Sequence, residues 1–453
     1  MYVKNKGALI IGMGRSGIAA AEVLLSLGAN VSVYDAKTSG QIDPHLIKYF
    51  KNRNAICYFG EQPGNIKNFD FAVVSPGVPL SNPLVKKVLE EEVDLLGEVE
   101  LAYRIGKGNY VAITGTNGKT TTTVLTGEIF KNAGRSAEVV GNVGLAVVKK
   151  AVNATDDTWL ITEISSFQLE TTSRFHPHIS ALLNLTPDHL DRHINFENYG
   201  KAKALIFQNQ NEDDYFIVNR DDEKCWDLAK KCRAKVIPFS RSKELSLGTY
   251  VKDDYIVIND EKGMTHRICQ VSNLGILGVH NLENALAAAT IAFFAGIEAS
   301  SVGKSIEAFE GVAHRLEYVG EVNGVRFIND SKGTNTDASV KAIQAIDSPI
   351  ILIAGGYDKG SSFSDFIKAF DGKVKALILL GKTAERIKND AMKQGYTDII
   401  MAKNMEECVR EGFAVAGTGD TVLLSPACAS WDMYLSFEQR GDHFKTCVRN
   451  LEK

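Results

Sequence analysis

A glycine-rich turn followed by a lysine and threonines is the segment of this chain best suited to chemistry. It runs Gly115-Thr116-Asn117-Gly118-Lys119-Thr120-Thr121, after an apolar run that ends at Ile113 and before an amphipathic segment at 121–131. A strand, such a turn and a helix together point backbone N–H groups at a phosphate, while Lys119 adds positive charge and Thr120 can place a hydroxyl on Mg²⁺. The sequence therefore predicts a nucleotide phosphate site. The full phosphate-loop spacing would need a glycine where Ile113 stands, so a simple glycine turn is the alternative.

Polar residues follow the next two apolar runs. Glu163 ends the run at 159–163, where phosphate-loop enzymes place an acid that binds Mg²⁺. Asp188 and His189 follow the run at 179–185, but imidazole is not a preferred Mg²⁺ ligand, so the chemistry alone leaves His189 open. The alternative for Glu163 is a solvated residue at a strand end without a functional role. The alternative for Lys203 is a solvated lysine on a helix.

The N-terminal segment carries a second glycine pattern. Gly12-x-Gly14-x-x-Gly17 follows the first apolar run, and Asp35 ends the second. This pattern is typical of a dinucleotide fingerprint, in which the glycines let a pyrophosphate approach and the acid accepts a hydrogen bond from a sugar hydroxyl. NAD and any other nucleoside diphosphate satisfy the same chemistry. The turn Ser75-Pro76-Gly77 ends a later strand at the edge where such sheets bind ligands, and a turn with no ligand is the alternative.

Three strand ends in the C-terminal part carry cationic and hydroxyl side chains. The segments concerned are Asp330-Ser331-Lys332-Gly333-Thr334-Asn335, Gly355-Gly356-Tyr357-Asp358-Lys359-Gly360 and Ser425-Pro426-Ala427-Cys428-Ala429-Ser430. Lys332, Lys359 and Ser430 together predict a pocket for an anionic substrate, although each alone would be an ordinary loop residue. Cys428 is expected to be a small buried residue, because no paired histidine lies near it in the sequence.

Two further groups of polar residues are candidates for nucleotide binding. Asn281 and Asn284 lie three residues apart at the start of an Ala-rich segment, so they share a helix face and can contact an adenine edge or cap the helix. Arg315 follows a glycine at a domain boundary and is suited to gripping a phosphate.

The elements that position these residues alternate between apolar runs and helical periodicity, which is typical of parallel α/β folds. At 453 residues, about three domains are expected. We predict an α/β fold with a Rossmann-like N-terminal domain at 1–97, a central phosphate-loop α/β domain at 98–311 and a Rossmann-like C-terminal α/β domain at 312–453. The polar segment 240–270 is predicted to be a β excursion of the central domain, and 285–295 a buried helix.

The charge and cysteine content of the chain limit the partners and the cellular compartment that we expect. The net charge of −4 comes without a basic patch or tail, which argues against nucleic acid and against an anionic membrane surface. The apolar segments are too short to span a bilayer. Seven scattered cysteines without a Cys-x-x-Cys pair favour a reduced, cytoplasmic setting.

The motifs together resemble the muramyl ligase family, over essentially the whole chain. The resemblance rests on the phosphate loop, the segment 163–170, His280-Asn281 with Asn284, His314-Arg315 and the segment 330–335. Segments 75–77, 165–170, 425–430 and 437–441 resemble the members that add D-glutamate. The resemblance implies that ATP phosphorylates the carboxylate of UDP-N-acetylmuramoyl-L-alanine in peptidoglycan synthesis. The amine of D-glutamate then attacks the acyl phosphate through a tetrahedral intermediate, giving an amide, ADP and phosphate.

The resemblance also implies residue roles. The ATP contacts would be Gly115, Thr116, Asn117, Gly118, Lys119, Thr120, Thr121, Asn281, Asn284, Arg315 and Asp330. The contacts to the UDP-sugar substrate would be Gly14, Arg15, Ser16, Asp35, Lys37, Gly77 and Asn142. The D-glutamate contacts would be Thr334, Lys332, Lys359, Ser430 and Phe437. Two Mg²⁺ ions would be held by Thr120, Glu163, His189 and a CO₂-derived carbamate on Lys203, and the catalytic residues would be Lys119, Glu163, His189 and Lys203.

Other functions remain open at this point. A sister ligase that adds another amino acid, or a folylpolyglutamate synthase, would share most of these motifs. The pattern at Gly12 also suits a nicotinamide oxidoreductase, and the phosphate loop alone suits a non-enzymatic nucleotide switch. We expect a monomer without nucleic-acid or membrane partners.

Overall fold

The computed structural model describes residues 1–276, 278–357 and 362–451, with the backbone alone for Asp191. These residues fall into a larger unit, Met1–Asn273 with Glu283–Ala308, and a smaller unit, Leu274–Leu282 with Phe309–Lys453. Each unit has its own buried apolar core around β-sheet.

The first sheet of the larger unit is parallel throughout and has the strand order β3-β2-β1-β4-β5. Its strands are β1 (Gly7–Ile11), β2 (Asn30–Asp35), β3 (Ile56–Phe59), β4 (Phe71–Val74) and β5 (Asp94–Gly97). The accompanying helices are α1 (Arg15–Ser26), α2 (Pro44–Lys51), α3 (Pro83–Glu90) and α4 (Glu98–Ile105). The strand order reverses beside β1, so the carboxyl ends of β1 and β4 mark the crevice where sheets of this type bind ligands.

The second sheet of the larger unit has the order β14-β13-β12-β11-β10-β9-β6-β8-β7. Its strands are β6 (Asn109–Thr114), β7 (Ala137–Gly141), β8 (Trp159–Glu163), β9 (Ile179–Leu182), β10 (Tyr215–Asn219), β11 (Lys235–Ser240), β12 (Gly248–Lys252), β13 (Tyr255–Asn259) and β14 (Thr265–Gln270). The helices are α5 (Lys119–Asn132), α6 (Val147–Ala151), α7 (Ser166–Leu169), α8 (Leu190–His193), α9 (Phe196–Ala204), α10 (Glu223–Ala229), α11 (Val279–Phe294) and α12 (Ala299–Glu307). Because β6 lies between β8 and β9, the segments that follow these parallel strands meet at one sheet edge.

The smaller unit contains a sheet of order β15-β16-β20-β17-β18-β19. Its strands are β15 (Glu317–Val322), β16 (Val325–Asn329), β17 (Ile350–Ala354), β18 (Val374–Leu379), β19 (Ile399–Met401) and β20 (Thr421–Leu424). The helices are α13 (Thr336–Ala345), α14 (Ser364–Lys368), α15 (Ala384–Lys393), α16 (Met405–Val415) and α17 (Phe437–Asn450). Since β20 pairs in parallel with both β16 and β17, the three strand ends singled out in the sequence are neighbours.

The predicted α/β class is confirmed, and so are two finer expectations. The segment 240–270 forms β12–β14, which pair antiparallel at the edge of the second sheet. The Ala-rich segment is buried within α11. The predicted domain boundaries at 97 and 311 stay a prediction. Among the helices that the structure describes, none has the length and apolarity that crossing a membrane requires.

Candidate active site

The phosphate loop joins β6 to α5 and is shaped by its own lysine. Gly118 has a φ of 82°, in the left-handed region that favours glycine, and α5 begins at the next residue, Lys119. Lys119 Nζ donates to the carbonyl oxygens of Gly115 and Thr116 at 2.9 and 2.8 Å. An ammonium group and a helix N-terminus therefore lie at one loop, which is the arrangement that binds phosphate.

Two asparagines on other elements brace this loop. Asn184, just after β9, accepts from the N–H of Asn117 at 2.8 Å and donates to the carbonyl of the same residue at 3.1 Å. Asn284 on α11 accepts from the Thr122 hydroxyl at 3.3 Å. A Cβ added at Gly118 would lie 2.2 Å from Asn284 Oδ1, so the Asn284 side chain would have to move away from the loop. Asn284, predicted as an ATP contact, thus packs against the phosphate loop.

Lys203 on α9 is buried, with 1% of its surface exposed, and it points at the same loop. Its Nζ donates to the carbonyl oxygen of Gly115 at 2.8 Å and lies 4.7 Å from the centre of the Tyr199 ring. Burial, and after it the charge of Lys119, lowers the pKa of Lys203 well below its usual value. The alternative of a solvated helix lysine is therefore wrong, and this amine loses its proton more readily than an exposed lysine does.

Glu163 ends β8 as a buried carboxylate with one engaged oxygen. Its Oε1 accepts from Asn142 Nδ2 at 2.8 Å. Its Oε2 is buried and has no hydrogen-bond partner in the part of the chain that the structure describes. A buried carboxylate oxygen without a donor favours a cation, and oxygen is the donor that Mg²⁺ prefers. The alternative of a solvated strand end is wrong.

A cation bound at Glu163 would need ligands other than the carboxylate and imidazole side chains of the protein. In the described residues, no group of three or more His, Cys, Asp or Glu side chains is arranged to hold a metal ion. The hydroxyl of Thr120, which is buried at the start of α5, is a further oxygen donor at this sheet edge. The predicted ligand set of Thr120, Glu163, His189 and a modified Lys203 stays a prediction.

His189 lies on the loop after β9 in an unusual conformation. Its φ is 52°, its side chain is half-exposed, and its Nε2 is 3.6 Å from Asp188 Oδ2. Its ring centre lies 4.8 Å from that of Phe167, which follows β8. The imidazole is therefore close to the segment after Glu163, although none of the contacts described for it reaches that carboxylate.

Arg192 fixes the same loop to the first sheet. Its Nη1 donates to the carbonyl of Pro76 at 2.7 Å and its Nη2 to Glu170 Oε2 at 3.0 Å. The guanidinium also lies 4.0 Å from the centre of the Phe167 ring. The loop that carries His189 is thereby tied to the Ser75-Pro76-Gly77 turn.

A cavity of about 350 Å³ lies at the reversal point of the first sheet. Its lining includes the predicted substrate contacts Gly14, Arg15, Ser16, Asp35, Gly77 and Asn142. Lys37 is not among the lining residues described; its N–H donates to Asp35 Oδ1 at 3.0 Å, and the N–H of Met13 donates to Asp35 Oδ2 at 2.9 Å. Asp35 therefore organises the glycine turn in addition to lining the cavity.

In the smaller unit, Asp330 follows β16 and is buried. Its Oδ2 accepts from the Ser425 hydroxyl at 2.7 Å, which links the ends of β16 and β20. Burial raises the pKa of Asp330 to about 6, against the opposing effects of the Ser425 hydrogen bond and the charge of Arg315. Arg315 Nε is buried and has no hydrogen-bond partner in the described residues, so this guanidinium has donor capacity left for a ligand.

Arg440 on α17 clamps the two loops of the predicted D-glutamate pocket. It is 2% exposed, and its Nε and Nη2 donate to the hydroxyl and carbonyl of Ser331 at 3.0 and 2.8 Å. Its Nη1 donates to the carbonyl of Cys428 at 3.1 Å. Cys428 is buried, as expected.

The structure describes five further predicted residues of the smaller unit. Lys332 Nζ is 5.6 Å from the centre of the Phe437 ring, and the Thr334 N–H donates to the Lys332 carbonyl at 2.8 Å. Ser430 is buried at the end of the loop after β20. Asn281 is buried in the smaller unit, at the start of α11. The predicted contact Lys359 lies outside the described residues.

Comparisons with known proteins give the family. The models described as "Mur ligase MurD-like, N-terminal domain", "Mur ligase middle domain" and "Mur ligase, glutamate ligase domain" match residues 6–97, 113–292 and 314–428. The chain is 48% identical to a UDP-N-acetylmuramoylalanine--D-glutamate ligase of Caldanaerobacter subterraneus subsp. tengcongensis and 49% to one of Thermoanaerobacter sp. (strain X514), and each match covers 100% of both chains. The chain belongs to the Mur ligase family.

Solved Mur ligases share the fold. UDP-N-acetylmuramate-alanine ligase from Thermotoga maritima matches with a TM-score of 0.61 at 18% identity, covering 98% of this chain and 100% of that one. The predicted architecture of N-terminal, central and C-terminal α/β domains is thereby confirmed for this Mur ligase, together with the family resemblance inferred from its motifs.

The sequence of this Mur ligase did not predict the residues that hold the site loops in place. Asn184, Arg192 and Arg440 each brace a loop that carries predicted site residues. Each is a single polar residue whose contacts are distant in sequence. The signal that was available is weak: Arg440 belongs to the segment 437–441, which was noted only as part of the resemblance.

Proposed function

We propose that this chain joins D-glutamate to UDP-N-acetylmuramoyl-L-alanine in an ATP-dependent ligation that yields ADP and phosphate, a step of peptidoglycan synthesis. The observation that carries the proposal is the 48% identity, over the whole of both chains, to an enzyme that bears this name. A nicotinamide oxidoreductase has no such support.

ATP is placed by the phosphate loop. Lys119 and the first N–H groups of α5 supply positive charge to its phosphates, and Asn284 fixes the loop from the side. Transfer of the γ-phosphoryl group to a substrate carboxylate brings two anions together, so concentrated positive charge is the main requirement. Asn281, Arg315 and Asp330 are further proposed contacts to the nucleotide.

The unpaired Oε2 of Glu163 supports a divalent cation at this edge. Thr120, Glu163, His189 and Lys203 are the residues that would hold the proposed two Mg²⁺ ions. When bound, Mg²⁺ neutralises charge that develops on the transferring phosphoryl group. Asn142 holds the other oxygen of Glu163 and thereby orients the carboxylate.

Lys203 is proposed to carry a carbamate. Its amine is buried and its pKa is lowered, which increases the share of the neutral, nucleophilic form. The Nζ lone pair forms a bond to the carbon of CO₂, one C–O π bond becomes the carbamate oxyanion, and Nζ loses a proton to solvent. The product places an anionic oxygen donor where the amine stood.

The smaller unit is proposed to hold D-glutamate through Lys332, Thr334, Lys359, Ser430 and Phe437. The cationic groups would pair with the carboxylates of the amino acid. Its amine nitrogen forms a bond to the acyl carbon, giving a tetrahedral intermediate, and the bond to phosphate then breaks as the amine loses a proton. The enzyme is proposed to work in the cytoplasm as a monomer.

A phosphate-release assay with UDP-N-acetylmuramoyl-L-alanine, ATP and a panel of amino acids tests the proposal. Release is expected with D-glutamate and not with L-alanine or a diamino acid. Release with another amino acid alone would instead identify a sister ligase. ATP hydrolysis that is indifferent to both co-substrates would identify a nucleotide switch.

A further inference from the structure

Glu98 is a buried carboxylate outside every predicted site. It is the first residue of α4 and is 3% exposed. Its Oε1 accepts from the N–H of Val148 at 2.6 Å, and the N–H of Val147 also bonds to the carboxylate. Both donors belong to the first turn of α6.

This contact supplies a cap that α6 lacks in its own sequence. Ala146 occupies the N-cap position and has no side chain that can accept a hydrogen bond. The first N–H groups of a helix have no partner within the helix and need an acceptor from elsewhere. Glu98 therefore provides the acceptor from a separate helix.

The loop 141–146 leads directly into α6. The loop is fastened at its start, where the Asn142 N–H donates to the Glu163 carbonyl at 3.0 Å. Arg15 donates to the Gly144 carbonyl in its middle at 2.5 Å. Asn142 and Ala146 line the 350 Å³ cavity together with the glycine turn of the first sheet. The position of the N-terminus of α6 thus sets where this loop meets the cavity.

We propose that Glu98 is a positioning residue for UDP-sugar substrate binding, because it caps α6 and so holds the loop 141–146 against the cavity. The identity of the ligand rests on the proposed function. Glu98 is on α4 and acts through its hydrogen bonds to the backbone of Val147 and Val148 at the start of α6. Removing the cap leaves two buried N–H groups without an acceptor and releases the end of the loop next to Ala146.

Glu100 provides a matched control on the same helix. It is also buried, and its carboxylate accepts from the backbone N–H groups of Ser173, Arg174 and Phe175. None of these donors belongs to the loop 141–146. A carboxylate that serves only folding is expected to behave as Glu100 does.

The test uses the full-length enzyme. The Kd of UDP-N-acetylmuramoyl-L-alanine is measured by calorimetry, and KM is measured for this substrate and for D-glutamate. Glu98→Ala is expected to raise the Kd and KM of the UDP substrate about five- to tenfold and to leave the KM of D-glutamate within about twofold. Glu100→Gln is expected to lower thermal stability without changing that Kd.

A rescue variant separates positioning from general destabilisation. Ala146→Ser gives α6 its own N-cap, and Ala146→Ser alone is the reference because Ala146 also lines the cavity. Glu98→Ala combined with Ala146→Ser is expected to bind the UDP substrate within about twofold of that reference. If Glu98→Ala does not fold, Glu98→Gln is used, with an expected rise in Kd of about two- to threefold.

An unchanged Kd in the folded Glu98 variant, an equal rise in Glu100→Gln, or a rise that the serine cap does not reverse would each overturn the positioning role alone. A wild-type enzyme that does not bind the UDP substrate would refute the proposed function, and the positioning role with it.

Discussion

Lys119 and Lys203 donate to the same carbonyl oxygen, that of Gly115, at 2.9 and 2.8 Å. Two ammonium groups that share one acceptor repel each other, and the buried one gives up its proton more readily because it is also desolvated. The phosphate loop is therefore bordered by Lys119 and by a buried lysine, Lys203, whose pKa is lowered. The first is suited to phosphate and the second to reaction with an electrophile such as CO₂.

Lys203→Ala is expected to lower kcat about 100-fold, because it removes the proposed carbamate from the metal site. Short carboxylates such as formate should restore part of the activity, since they can place an oxygen anion in the vacated space. Lys201→Ala is the control, because Lys201 is on the same helix but is exposed and paired with Glu197. Full activity of Lys203→Ala in the phosphate-release assay would refute the carbamate role.

Glu163→Gln is expected to raise the thermal stability of the protein and to lower its activity. The variant removes a buried carboxylate oxygen that has no partner in the described structure, so the protein in EDTA should melt about 2–4 °C higher. The kcat should fall about 100-fold because an oxygen anion is lost from the proposed Mg²⁺ site. Glu138→Gln is the control, since Glu138 pairs with Lys150 near the surface. A lower melting temperature in EDTA would show that Glu163 has an unseen structural partner.

Gly118→Ala is expected to raise the KM of ATP about tenfold or more, because a Cβ would overlap Asn284 and displace the phosphate loop. Gly134→Ala is the matched control. Its φ of 74° imposes a similar backbone strain after the same helix, but the space around its Cβ is open. Both variants should lose about 1 kcal/mol of unfolding free energy. Equal KM values for ATP in the two variants would argue against the Asn284 contact.

Arg440→Lys is expected to raise the KM of D-glutamate about tenfold, because one ammonium group cannot replace three donors directed at Ser331 and Cys428. The KM of the UDP substrate should stay within about twofold. Arg449→Lys, at the exposed end of the same helix, should change neither value. A change confined to the UDP substrate would contradict the assignment of this clamp to the amino-acid pocket.

The stability of the protein should depend on pH through Glu98. Burial raises the pKa of Glu98 from 4.5 to about 7, so its contribution to stability is complete below about pH 4.5 and is lost as the pH rises through 7. Relative to Glu98→Gln, the wild type should lose about 3 kcal/mol of unfolding free energy between these limits in urea titrations.

Glu100 provides a control of opposite sign for this titration. Burial raises its pKa, but hydrogen bonds from Ser173 and Arg104 outweigh that effect and leave the pKa lower than usual. Its contribution is therefore present at neutral pH and lost on acidification. A wild-type curve parallel to that of Glu98→Gln would contradict the raised pKa of Glu98.

The motifs at the strand ends were predictable because each depends only on the order of residues within a short segment. An apolar run followed by glycine, acid or lysine places those residues at the carboxyl edge of a parallel sheet, and this holds for Lys119, Glu163 and Asp330. The short strands β3 and β7 were not predicted, because their pairing depends on neighbouring strands rather than on their own residue pattern.

The supporting residues were not predictable for a different reason. Asn184 contacts Asn117, which is 67 positions away, Glu98 contacts Val148, 50 positions away, and Arg192 contacts Pro76, 116 positions away. These partners follow from the tertiary fold alone. The burial of Lys203 is of the same kind, because nothing in its local sequence distinguishes it from the exposed Lys201.

Trp431 follows directly after Ser430, with 62% of its surface exposed and its ring centre 5.8 Å from that of Tyr357. The other tryptophans, Trp159 and Trp226, belong to the larger unit. The smaller unit thus contains a single, solvent-facing indole beside its proposed amino-acid pocket. Its fluorescence is a built-in optical signal, and selective excitation with Trp159 and Trp226 changed to phenylalanine would let occupancy of that pocket be followed in real time without a label.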